Sequence, residues 1–143
     1  MKFAGLKVTC CERLFEHAPG VKVMGRGKPA GIDTKRGRVS WNGNSGISAL
    51  SLAYHLGARM MVLLGFDMHP LEDGTSNFHN DHVNMELHKG PNVQKVYDRY
   101  LSKMGQVKKD ADRLGVKIVN ATPGSSIKEF PIMSLEEVLN GNI

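Results

Sequence analysis

The chain has 143 residues, 41% hydrophobic and 23% charged, which fits one soluble globular domain rather than a disordered or fibrous chain. Its net charge of +5 and pI near 9.3 favour anionic partners such as nucleotides or sugar phosphates, and equally serve a solvated basic surface. No apolar run is long enough to span a bilayer, and the two cysteines, adjacent at Cys10-Cys11, suit neither a zinc site nor a disulfide framework. Reduced cysteines and the lack of a signal core point to a cytoplasmic protein with no membrane partner.

Along the chain, Leu6 to Cys10 and Val21 to Gly25 read as short strands with a turn at "EHAPG" between them. "RGKPAGIDTKRGR" reads as a solvated basic loop. It lacks Walker spacing and the interleaved aromatics of single-strand binders, so phosphate contact ranks second and nucleic acid is the least favoured partner. Val39 to Trp41 is a weak strand. A helix follows to about Leu56, with Ile47, Leu50, Ala53 and Tyr54 on one face, Asn44 or Ser45 as N-cap and Gly57 as the stop. Arg59 to Phe66 is an apolar run without alternation, the mark of a strand covered on both faces.

Met68 to Pro91 shows no clear element, and loops of that length are usually functional. The strongest helical periodicity runs from about Val93 to Leu114. Val93, Val96, Tyr97, Tyr100, Leu101, Met104, Val107, Ala111 and Leu114 form its stripe. "VKIVNA" is a further strand and "TPGSS" a loop. "SLEEVL" is a short helix capped by Ser134, with Glu137 completing a capping box. Strands alternating with helices argue for a single α/β domain over residues 1–143, with a mostly parallel sheet flanked by helices.

In such a sheet the carboxyl ends of the strands share one edge, and ligands sit outside it. Three loops leave strands there: 42–46, 67–69 and 120–126. The entrance at Asn44, Ser45 and Gly46 offers helix N–H groups to an anion, and Gly43 and Gly46 would let a ligand come close to the backbone; a plain N-cap explains the same residues. Asp67 ends the apolar strand, where a carboxylate can accept from two ribose hydroxyls, help hold a metal, or simply cap a turn. Thr122, Ser125 and Ser126 add short hydroxyls around a Pro123-Gly124 turn.

The long loop holds His69, His79, His82 and His88. His79, Asp81 and His82 lie close enough in sequence to share a proton-transfer site or a metal, although the spacing is no standard zinc motif. His79 and His82 are the catalytic candidates; surface residues are the competing reading, and no metal site is assigned.

The combination "NSGISALSLAYHLGARMMVLLGFDM", "HNDH" and "VNATPGSSIKEFPIMSLEEVL" resembles small phage proteins related to the archaeal hydroxymethylpterin diphosphokinase-like family. More distantly it is similar to bacterial sialyltransferases that use CMP-sialic acid. The resemblance covers roughly Val39 to Leu139 and implies a Rossmann-like fold. It places the donor nucleotide against Asn44, Ser45 and Gly46, the nucleoside against Gly65, Phe66 and Asp67, and a catalytic base at His79 or His82. Longer members of these families begin with a strand and a turn of the G-x-G-P-S type, which this chain lacks. It therefore reads as a fragment or as a short form with a reduced site.

Three functions follow as expectations. The first is a nucleotide-dependent transferase moving a glycosyl or diphosphate group. The second is a nucleotide-binding protein that sequesters its ligand in the host cytoplasm. The third is a phage structural or assembly protein. The implied partner is a nucleotide or nucleotide-sugar. The residues name no cofactor, with Mg2+ the one candidate that such chemistry raises, and a homo-oligomer is compatible with the chain's size.

Overall fold

The computed structural model describes residues 4–11, 18–41, 43–70 and 92–141. In chain order these form β1 (Lys7–Thr9), β2 (Val21–Val23), β3 (Gly25–Arg26), β4 (Arg38–Val39), α1 (Ser45–His55), β5 (Met60–Leu63), α2 (Asn92–Leu101), α3 (Met104–Leu114), β6 (Lys117–Asn120) and α4 (Leu135–Leu139). The strands pair β1–β2, β3–β4 and β5–β6, each parallel. The architecture is therefore mixed α/β, with the parallel pairing that alternating strands and helices predict. The sheets are small: among the described residues, the one extension beyond two strands is a parallel bridge from Asn120 to Ile132.

The β5–β6 pair lies at the centre. Met61 and Leu63 enter the main core with Ile118, while Val62 packs against a second cluster of Val119, Ala121 and Val138. Both faces are covered, which is why the run does not alternate. Ile47 and Leu50 of α1 meet the same core from one helix, and Met104, Val107 and Ala111 of α3 from another. No described helix is long and apolar enough to cross a membrane.

Local chemistry sets the helix ends. The Asn44 side chain accepts from Gly46 N at 2.7 Å, so Asn44 is the cap of α1. Gly57 takes a left-handed φ of 94° just past its end. Ser134 and Glu137 form the expected reciprocal capping box on α4.

Two expectations change. The stripe from Val93 to Leu114 is carried by two helices, not one. The Ser102 hydroxyl donates to the Arg99 carbonyl, and the N–H groups of Lys103 and Gln106 reach back only three residues, to Tyr100 and Lys103. Such competition tightens and interrupts a helix, and Gly105 is a poor former just beyond it. The apolar stripe nonetheless stays buried on both sides of the break.

The turn expected before β2 is present, closed by Val21 N to Ala18 O at 3.2 Å, and β1 and β2 run parallel, as expected of the sheet.

The basic loop is solvated only in part: Lys28 and the stretch from Thr34 to Gly37 are exposed, but its middle is anchored. Ile32 and Asp33 are buried within it. Asp33 accepts from Lys28 N and Lys35 N, both at 2.9 Å, and pairs with Arg38 at 3.2 Å. Asp110, buried on α3, accepts from Ile32 N at 2.9 Å and pairs with Arg113 at 3.2 Å and Lys28 at 3.7 Å. A Cβ on Gly27 would overlap the Asp33 carboxylate, and one on Gly31 the Asp110 carboxylate. The loop's glycines are thus places where a carboxylate reaches the backbone. Two of its cations, Lys28 and Arg38, face protein acids rather than an external phosphate.

Candidate functional site

Because β5 and β6 are parallel, the chain leaves both at the same edge. A row of cross-links then holds the two exits together. Ala121 N donates to Leu63 O at 2.9 Å, Phe66 N to the Thr122 hydroxyl at 3.0 Å, the Ser125 hydroxyl to Phe66 O at 2.6 Å, and Ser126 N to Asp67 O at 2.8 Å. The entrance of α1 joins them from the side. The Phe66 ring lies so close to Gly46 that a Cβ there would be 2.6 Å from two ring carbons, and the Asn44 amide reaches Met68 Sδ at 3.9 Å. The stretches around Asn44–Gly46, Gly65–Asp67 and Thr122–Ser126 are therefore neighbours in space.

Their side chains divide into supports and presented groups. Thr122 and Ser125 are buried, and their hydroxyls are engaged with backbone: Thr122 with Phe66 N and Leu63 O, Ser125 with Phe66 O and Ile127 N. They shape the edge rather than offer free donors. Gly46 is covered by Phe66, so the close approach that its missing side chain permits is made by the protein itself. The same holds at Gly43, where a Cβ would lie 3.2 Å from the Arg99 guanidinium. Ser45 and Asp67 are exposed and Ser126 is half-buried, so these three remain presented.

Asp67 sits in an unusual backbone. Gly65 has φ 69°, and Met68, immediately after Asp67, has φ 57°, the one positive value at a non-glycine among the described residues. A left-handed methionine costs backbone energy and persists only where its surroundings hold it. Here Met68 is buried in the core and its sulfur meets Asn44.

Helix α2 supplies residues that the sequence reading did not single out. Burial raises the Tyr97 pKa, and the negative charges of Asp67 and of the neighbouring Tyr100 raise it further. The Tyr100 hydroxyl donates to Gly43 O at 3.1 Å, and the Arg99 guanidinium lies 5.2 Å from the Tyr100 ring centroid. Arg99 thus brings positive charge to the entrance of α1. A sequence signal existed: two tyrosines stand in an otherwise aliphatic stripe, and buried tyrosines seek a partner for their hydroxyl.

Beside the same entrance opens a cleft of about 240 Å³. The end of β1 (Thr9, Cys10), Trp41 and the first turns of α1 (Ser45, Ala49, Leu52) form its walls. The Arg26 guanidinium stacks over the Trp41 ring at 4.3 Å and its Nε donates to Cys10 O at 3.0 Å, tying the two walls together.

His79 and His82, with Asp81 and His88, lie outside the described residues. His69 is half-buried, with Nδ1 2.8 Å from Pro70 O. Among the described residues, no three His, Cys, Asp or Glu side chains are grouped to hold a metal. No protein-family model matches the chain, and neither a curated protein nor a solved structure matches it.

Proposed function

We propose that this chain binds a nucleotide or nucleotide-sugar at the carboxyl edge of β5 and β6, in a Rossmann-like manner. The observation that carries the reading is the setting of Asp67. It is exposed on a loop pinned through Phe66 and Ser126, next to a left-handed Met68 whose sulfur meets Asn44 at the entrance of α1. A carboxylate so placed can accept from two ribose hydroxyls. The first turn of α1, with Arg99 nearby, suits the phosphates, because its N–H groups outnumber the acceptors within the helix and the helix dipole adds to the attraction.

The fuller form of the reading is transfer of a glycosyl or diphosphate group, with His79 or His82 activating the acceptor. Such reactions depend chiefly on positioning and charge stabilisation, so they require few catalytic side chains.

Thermal shift against a panel of nucleoside mono-, di- and triphosphates and nucleotide-sugars, with and without Mg2+, tests it. A ligand at a hundred times its Kd adds about 2.7 kcal/mol of apparent stability, a rise of several degrees. Asp67→Ala should remove the response while the unliganded protein melts as before. Stabilisation that survives Asp67→Ala would place the ligand elsewhere and end the proposal. Incubation of any ligand found, with His79→Ala and His82→Ala beside the native chain, separates turnover from binding alone.

A further inference from the structure

The cleft beside α1 has a chemistry unlike that of the Asp67 edge. Among the described residues that line it, none is Asp, Glu, Lys, Arg or His. The residues lining it include Trp41, the apolar Val39, Ala49 and Leu52, and the hydroxyl-bearing Thr9, Ser45 and Ser48. Its volume of about 240 Å³ falls just below the usual span of small-molecule sites, roughly 300–1,000 Å³, and suits one ring or a fused pair.

From this we infer that the cleft receives the base of the nucleotide, a neutral planar heterocycle stacked on Trp41; the choice of a nucleobase rests on the reading proposed above. The described lining offers no charge to pair with a phosphate and so favours a neutral guest, since burying a charge without a partner is costly. An indole wall favours a flat one, because every base has a π-face. The wall is held in place before any ligand arrives. Arg26 stacks on the indole and bonds to Cys10 O, and Trp41 lines the cleft while Arg26 does not.

The hydroxyls give the base's edge something to meet. Thr9 Oγ1 accepts from Cys11 N, which leaves its hydrogen available to donate. Ser48 donates to Ser40 O, which leaves its oxygen able to accept. Ser45 belongs both to the cleft and to the entrance of α1, so it marks where base and phosphate regions meet.

Trp41 is the only tryptophan, so its emission reports on the cleft directly. The experiment titrates the native chain with the four common nucleosides and with their free bases, following Trp41 fluorescence. Saturable quenching by at least one nucleoside and its base is expected. Ala49→Leu, at an exposed helix position, should leave melting unchanged and weaken both at least tenfold by filling the cleft. Asp67→Ala should weaken the nucleoside but not the free base.

If nucleotides stabilise the protein while Trp41 emission stays constant and Ala49→Leu has no effect, the base lies elsewhere; the cleft assignment then falls and the Asp67 site stands. If bases quench and Ala49→Leu weakens them, but nucleotide affinity ignores Asp67→Ala, the cleft stands and the Asp67 reading falls. If neither bases nor nucleotides bind, both fall.

Discussion

Replacing Asp110 with alanine should destabilise the protein far more than its surface ion pairs suggest. The carboxylate is buried, and its most consequential partner is the N–H of Ile32, a residue with no exposed surface. Removing the acceptor strands that N–H away from water, at a cost of about 1–3 kcal/mol. The cations Lys28 and Arg113 are half-exposed and recover hydration, so losing them adds only about 0–1 kcal/mol each. The sum is roughly 1–5 kcal/mol. Asp112→Ala, which breaks only the exposed Lys108 pair one turn along the same helix, should cost no more than about 0.5 kcal/mol. Urea denaturation of both variants measures the difference, and Asp110→Asn, which keeps an oxygen for Ile32, should fall between them.

The effect carries a pH signature. Burial pushes the Asp110 pKa up, but the Ile32 N–H, the Arg113 bond and the charges of Lys28 and Arg113 outweigh it and leave the carboxyl below its ordinary 3.8. A depressed folded pKa gives stability that is complete above the unfolded value and disappears as pH falls through the folded one. The gap between the native chain and Asp110→Ala should therefore be full at pH 7 and begin to close only below about pH 4. If Asp110→Ala and Asp112→Ala differ by less than about 0.5 kcal/mol at pH 7, the anchoring of the basic loop by a buried carboxylate is wrong.

Other outcomes follow from the same geometry. Gly46→Ala would gain helix propensity but force the Phe66 ring aside, a net loss of about 1–2 kcal/mol by thermal melting. It should also weaken any ligand held by Asp67, because Phe66 precedes it on the same loop. Ser125→Ala strips both Phe66 O and Ile127 N of a partner and should cost about 1–3 kcal/mol in urea denaturation. Ser134→Ala breaks the capping box at an exposed helix end, with an expected loss of about 1 kcal/mol.

The sequence by itself determined what depends on near neighbours. Asn44, Gly57, Ser134 and Glu137 act within a turn of their own backbone, so their caps and stops were legible in order alone. The apolar run into β5 showed a strand covered on both faces, and the alternation of strands and helices showed parallel pairing. The meeting of the Asn44, Asp67 and Thr122 stretches followed from that topology. Only the tertiary structure decided who touches whom across distance. Asp110 and Ile32 are far apart in sequence, and no local rule makes a helix carboxylate the anchor of a basic loop. Phe66 fills the space above Gly46, so a glycine that could have welcomed a ligand serves packing. Tyr100 in the sequence is one member of a helix stripe, and only the docking of α2 brings it and Arg99 to Gly43. Hydrogen bonds and van der Waals contacts act over a few ångströms in space, and sequence spacing reports those ångströms only within an element.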